Sequence, residues 1–314
     1  MVLTPVKRAR VPSPLDDAAA FDEFVTQYLN KCDDLLSYTQ RYPTVKELPH
    51  VKLQRQNRNP HETHRWLRRT VYAAASYERL KRVLFAGRLE HMPQWMPNML
   101  GAETVEPLVP NLCDVVRLAF RSPGLRAKRD YCQLVVKREF VGEAARPKPR
   151  IFTPSASMSN LAQAFRSQSS ANLAGMADFN DARDPSPYGH TRSASVRHLG
   201  ASGEHTPNQF AGLAPHQHQS IFDTTDDEPA RPVRRFQVVS VPVAHPNCTA
   251  QRGFVRAVYE SYEEIREYAD GRVEWVCIYH SDFAGWVPGF MADHAIAQAF
   301  PKEAEALLDY VNSA

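Results

Sequence analysis

The residues best suited to chemistry are few and scattered. His61 and His64 stand three apart in His-Glu-Thr-His, and His216 and His218 two apart in a polar stretch. A metal ion is usually held by three or four convergent ligands, and neither pair has a third nearby, so all four read as solvated histidines and no metal site is expected. Cys32, Cys113, Cys132, Cys248 and Cys277 are odd in number and never form Cys-x-x-Cys. That argues against a disulfide framework or a thiolate zinc site and points to the reducing cytoplasm. Gly-x-Ser-x-Gly, Gly-x-Gly-x-x-Gly and Gly-Lys-Ser/Thr are absent, which removes the usual signals of serine hydrolases, dinucleotide enzymes and nucleotide hydrolases. Tyr279, His280 and His294 could supply acid–base chemistry if the fold brought them together. No cofactor is expected.

A second kind of chemistry lies in the middle of the chain. Arg166-Ser167-Gln168-Ser169 and Arg192-Ser193-Ala194-Ser195 place an arginine three residues before Ser169 and Ser195, a pattern that basic-directed kinases accept, and Thr153, Ser186 and Thr206 precede prolines. Phosphate there adds about −1.5 to −2 charge and can dock an Arg-lined protein partner. An unmodified loop explains the same residues. The segment 141–232 is rich in Ser, Ala, Pro, Asn, Gln and His, holds no Trp and a single Tyr, Tyr188. It buries too little apolar surface to offset its ordering entropy and reads as a disordered insertion.

The elements that must position everything else flank this insertion. Phe21, Phe24, Val25, Tyr28, Leu29, Leu35 and Leu36 mark a helix over 16–42, and Leu80, Val83, Leu84 and Leu89 a second over 76–91, opened by Ser76 and ended by Pro93. Alternating runs near 66–72, 103–109, 115–121, 131–137, 236–243, 254–262 and 272–279 give about seven antiparallel strands, the last two turning at Asp270-Gly271. A long helix over 288–312 closes the chain, its buried face marked by Phe290, Met291, Ala295, Ala299, Ala304, Leu307, Leu308 and Val311. The layout is α+β, a curved antiparallel sheet around a long C-terminal helix with a hollow between them. Residues 1–14 read as a disordered basic tail, and 15–140 with 233–314 as one domain of roughly 200 residues split by the insertion.

Composition agrees with a chain able to bury a core. Of 314 residues 43% are hydrophobic and 23% charged, and Lys and Arg number 38 against 35 Asp and Glu. Nothing calls for nucleic acid. The most apolar runs stop after about 8 residues, far short of a membrane span. Lys7, Arg8, Arg10, Arg65, Arg68 and Arg69 could draw the protein to an anionic membrane surface as a peripheral contact.

Four short motifs then carry a family resemblance. Glu90-His91-Met92-Pro93-Gln94-Trp95-Met96-Pro97-Asn98 resembles the helix and Trp-x-Pro-Asn turn of START (steroidogenic acute regulatory-related lipid transfer) domains, and Arg129-Asp130-Tyr131 resembles the start of a central strand there. Gly253-Phe254-Val255-Arg256-Ala257 is similar to the Gly-x-x-Arg-Ala strand, and Asp282-Phe283-Ala284-Gly285-Trp286-Val287-Pro288 to the entry of the last helix. The long polar insertion is a further similarity to a fungal START-like subgroup. The resemblance covers about 65–140 and 235–312. It implies a helix-grip fold enclosing a tunnel for one lipid or other apolar small molecule, with the last helix and a nearby loop as its door.

The wall of such a tunnel is expected from Leu118, Phe120, Leu134, Val136, Val239, Val241, Trp275, Cys277 and Tyr279, joined by Phe290, Met291 and His294 from the helix and by Arg256 as a polar anchor. Solid core packing is the alternative for each of them. The acidic residue and arginine that some START members place inside the tunnel have no counterpart here, since Val135 stands at the arginine's position. Arg129 and Asp130 point to opposite faces and read as structural. The expected function is non-covalent lipid transfer or sensing. Alternatives are a phospho-regulated interaction module with a vestigial cavity, or a helix-grip enzyme of cyclase or hydrolase type.

Overall fold

A computed structural model describes residues 3–57, 65–121, 127–142, 231–285 and 287–313. The segments Met1–Arg150 and Ala230–Ala314 form one compact unit. In chain order it contains β1 (Val6–Lys7), α1 (Ala18–Tyr38), β2 (Thr44–Leu48), β3 (Val51–Arg55), β4 (Leu67–Ala73), α2 (Tyr77–Lys81), α3 (Arg88–Trp95), β5 (Met99–Val109), β6 (Cys113–Phe120), β7 (Lys128–Val141), β8 (Pro232–Ala244), β9 (Phe254–Arg256), β10 (Val258–Tyr268), β11 (Val273–Asp282) and α4 (Gly289–Ser313).

The strands make one sheet in the order β2-β3-β4-β11-β10-β8-β7-β6-β5, antiparallel throughout this path, with β1 added parallel to β8 and β9 parallel to β7. Among the described residues there are thus eleven strands rather than about seven. The β2–β3 hairpin escaped the sequence reading because β2 is an exposed edge strand without an alternating apolar face. The Asp270-Gly271 turn is as expected, Gly271 taking φ +83°.

Helices cover both faces of the sheet. α2, α3 and α4 lie on what we call the inner face, packed on Leu118, Tyr131, Val135, Phe236, Val238, Tyr259, Ile265 and Trp275. α1 lies on the outer face, where Val25, Leu29, Cys32, Leu35 and Leu36 meet Leu134, Val136, Val239, Val241, Tyr262 and Val276. Asp17 caps α1 by accepting from the Ala20 N–H at 2.9 Å, and Ser76 caps α2 through the Arg79 N–H. The second helix is not continuous: one turn of π-helix over Arg82–Ala86 separates α2 from α3, and α3 runs through Pro93 to Trp95. Pro93 sits in the last turn of that helix, so it removes a single backbone bond and does not end it.

The N-terminal segment corrects the expectation of a disordered tail. Leu3 and Val11 are buried, β1 pairs with β8, and Arg8 donates twice to Glu106, at 2.7 and 2.6 Å. His245 Nε2 meets the same carboxylate at 2.7 Å. The Arg8 guanidinium, with His245, holds the Glu106 carboxyl down at about 2. Of the basic residues offered for membrane contact, Lys7 and Arg10 are exposed and Arg8 is held by Glu106. Arg65 pairs with Asp293 at 2.7 Å, and Arg68 and Arg69 are buried.

The insertion read over 141–232 lies outside the described residues except at its flanks, where β7 reaches Val141 and β8 begins at Pro232. Ser169, Ser195 and the histidine pairs at 61/64 and 216/218 also lie outside them. No helix among the described residues is long and apolar enough to cross a membrane.

Candidate functional site

Strand register decides which side chains face α4. Tyr279, Ser261, Ser240, Val135 and Asp114 form one row across β11, β10, β8, β7 and β6, and Cys277, Glu263, Val238 and Lys137 the next. Of the expected lining residues, Leu118, Phe120, Trp275, Cys277 and Tyr279 lie on this inner face. Leu134, Val136, Val239 and Val241 do not: they pack under α1. β7 and β8 are buried on both faces, so alternation along them cannot tell inside from outside. The inner residues there are Tyr131, Gln133, Val135, Phe236, Val238 and Ser240.

The helix candidates move as well. Met291 and His294 are exposed, and the Phe290 side chain lies outside the described set. Arg256 turns away from the interior and binds Asp130 through Nε at 3.2 Å and Nη2 at 2.7 Å. Asp130 also accepts from the Gln251 N–H, so it ties the sheet end together as its structural reading requires. Tyr279 faces inward, His280 stacks on Trp66 at 4.8 Å on the other face, and His294 is solvent-exposed. These three groups do not converge.

Aromatic rings span the inner face in sequence. Phe120 meets Tyr131 at 5.7 Å, Tyr131 meets Tyr259 at 5.2 Å, Tyr259 stacks on Tyr279 at 5.4 Å, and Tyr279 reaches Phe300 of α4 at 5.5 Å. Burial raises the phenol pKa of all three tyrosines, so they remain neutral donors.

Gln133 stands beside this ladder, between Val116 of β6 and Pro242 of β8. Its side chain is wholly buried, yet neither Oε1 nor Nε2 has a hydrogen-bond partner. An unmet buried amide costs about 1–3 kcal/mol, so such a group is normally satisfied by something.

The interior also carries charge, which corrects the expectation that a buried acid and arginine have no counterpart here. Arg88 of α3 meets Glu263 of β10 at 2.5 Å, both buried, and Trp275 Nε1 donates to the same carboxylate at 3.3 Å. Arg69 lies between the rings of Trp275 and Phe300, 4.2 Å from each centroid. It donates to the Phe300 carbonyl and stands 3.6 Å from Glu303. Sequence reasoning missed Arg88 and Glu263, because Arg88 stands in a stretch that also holds Arg79, Lys81 and Arg82 and nothing local marks it as the buried one.

Burial, aided by the charge of Glu263, pushes the Glu303 carboxyl up to about 7 against the pull of Arg69. A carboxyl whose folded pKa lies above its unfolded value binds protons preferentially in the native state, so its contribution to stability falls as pH rises from about 4.5 to 7. Glu303→Gln is expected to raise the melting temperature at pH 8 by a few degrees and to leave it unchanged near pH 4. Parallel melting curves of the two proteins from pH 4 to 8 check this.

An open crevice of about 480 Å³ lies at the β6 end of the same face, between the start of α3 and the β5–β6 hairpin, lined by Arg88, Glu90, Glu103, Asp114 and Lys137 among others. Among the described residues no cluster of His, Cys, Asp and Glu could hold a metal ion.

Comparison with known proteins agrees with this geometry. A family model described as a protein of unknown function, DUF3074, matches residues 194–311. In a comparison with curated proteins, no sequence matches. Among solved structures, human StAR-related lipid transfer protein 5 is similar, with a TM-score of 0.56 at 11% identity over 93% of this chain and 99% of that one. Human STARD10 gives a TM-score of 0.53 at 12% identity over 90% and 80%. A STAR-related lipid transfer protein fragment from Xanthomonas axonopodis gives 0.51 at 12% identity over 86% and 98%. The chain has a START-like helix-grip fold, and the START motifs occupy structural positions within it. Asn98 of the Trp-x-Pro-Asn turn takes φ +65°, and Gly285 before the last helix φ +70°. Asp282 accepts from the Ala284 N–H at 2.8 Å, which shapes the same turn.

Proposed function

We propose that the protein binds one neutral, largely apolar small molecule between the inner sheet face and α4, and carries or senses it without covalent chemistry. The observation that carries this reading is the Gln133 amide, buried beside an aromatic face with its donor and its acceptor both unmet. A ligand group offering an acceptor and a donor side by side satisfies both ends; a hydroxyl, an amide or a protonated acid qualifies.

Neutrality follows from the surroundings. Nearest α4 the inner charges are already spoken for, Arg88 by Glu263 and Arg69 by the Phe300 carbonyl, two rings and Glu303, while Asp114 and Lys137 of the same face line the crevice beside α3. A buried ionic headgroup would therefore lack a counter-charge and bind at a penalty. The fold adds support, since two of the three solved structures reported as similar carry the words lipid transfer in their names.

Gln133→Leu separates this reading from simple packing. It removes an unmet amide, so the melting temperature should hold or rise. Affinity for a neutral hydroxyl- or amide-bearing lipid should fall by roughly 5- to 150-fold, the equivalent of about 1–3 kcal/mol. Affinity for a hydrocarbon-only analogue should not change. Fluorescence titration with a panel of such lipids measures both. Equal loss for the two ligand types, or no loss for either, contradicts the proposal.

A further inference from the structure

On the inner face of the sheet two neutral side chains are buried with their polar atoms unmet. Gln133 of β7 is one, and Ser281 of β11 is the other. Ser281 is the register partner of Tyr259 and follows Tyr279 by two residues, so it shares the face on which those two rings stack. Its Oγ has no hydrogen-bond partner, the nearby Tyr279 phenol included. Gln133 in turn is paired with Pro242 of β8. The two groups therefore rise from one face on strands β7 and β11, which are separated in the sheet by β8 and β10. Three strand spacings of about 4.8 Å put them roughly 10–15 Å apart. Pro242 and the rings of Tyr131 and Tyr259 lie between.

We infer that the ligand carries a neutral polar group at each end, one held by the Gln133 amide and the other by the Ser281 hydroxyl, with its apolar body lying across the rings between them. The inference rests on the proposed use of this face for a neutral guest, and it names the class of that guest. A serine hydroxyl both donates and accepts, so Ser281 takes a hydroxyl, a carbonyl or an amide. A single-headed fatty alcohol bound through Gln133 leaves Ser281 unmet. An elongated diol, hydroxy ketone or hydroxy amide of matching length meets both. A neutral hydrogen bond made where a buried group was unmet strengthens binding by about 2- to 12-fold. An ionic group at either end is disfavoured, because neither Gln133 nor Ser281 supplies a counter-charge.

The test uses the full chain and three probes: decane with a hydroxyl on both end carbons, decanol, and decane itself. Calorimetric titration of wild type, Gln133→Leu and Ser281→Ala gives each affinity. Wild type should bind the diol about 2- to 12-fold more tightly than decanol. Ser281→Ala should erase that preference and leave the affinity for decanol unchanged, with a melting temperature that holds or rises because an unmet hydroxyl is gone. Gln133→Leu should weaken the diol and decanol alike, and decane should respond to neither change. A wild type without preference for the diol, or a preference that survives Ser281→Ala, overturns the inference; if Gln133→Leu still weakens decanol, the site anchored by Gln133 alone stands. Decanol affinity indifferent to Gln133→Leu, or no binding of either alcohol, removes both. The wild-type comparison decides the matter even if Ser281→Ala fails to fold.

Discussion

Replacing Arg88 alone with methionine destabilises the protein by about 3–5 kcal/mol, the cost of stranding one member of a buried ion pair. Glu263 is then left on the inner face with only the Trp275 N–H at 3.3 Å for company. Joint replacement, Arg88→Met with Glu263→Leu, removes both charges and the solvation debt of each, and should recover most of the loss. Buried pairs exchanged whole for apolar groups are often neutral or better. Urea unfolding of the two single variants and the double variant gives the coupling energy directly. Single and double variants of equal stability would mean that the pair contributes nothing through its charge. The pair then exists for geometry: it spans from α3 to β10 and fixes the helix layer over the inner face.

Trp275→Ala is expected to cost about 3–5 kcal/mol as well, through a different mechanism. The indole is almost wholly buried on β11, and three groups depend on it. Arg69 loses one of its two aromatic partners, Glu263 loses a donor, and the side chains of Ile265 and Val71, its register partners, face a void. Arg69 is also the residue that holds the Phe300 carbonyl, so the damage should spread to α4. Trp275→Phe keeps one aromatic ring for the cation–π contact and gives up the N–H bond and part of the indole volume, at a smaller cost of about 1–3 kcal/mol. Thermal melts establish the order, and hydrogen exchange in 300–311 reports on α4. A Trp275→Ala protein within 1 kcal/mol of wild type would refute the account of how α4 is seated.

The two variants also show what a single sequence can and cannot disclose. Strand positions were legible because short apolar runs end in turns, and for β6 and β11 the parity was legible too: Leu118, Phe120, Trp275, Cys277 and Tyr279 fall on the inner face. The same reasoning failed for β7 and β8 because α1 covers the outer face, so Leu134 and Val241 are as buried as Val135 and Val238. Local periodicity holds no information about which of two apolar faces meets which helix. Pairings across long separations were invisible for the same reason. Arg8 finds Glu106 across 98 positions, and Arg88 finds Glu263 across 175. Neither partner is marked by its neighbours. Gln133, the residue on which the proposed function turns, looked like an ordinary polar residue of an alternating strand until the register placed it between Val116 and Pro242.

Native mass spectrometry of the full chain purified from cells without detergent tests the central claim most directly. The account predicts a single bound neutral molecule of discrete mass, present at one per chain, lost after organic extraction and absent or much reduced in Gln133→Leu. A protein that emerges empty, and that takes up no member of a broad panel of neutral lipids after extraction, would contradict it.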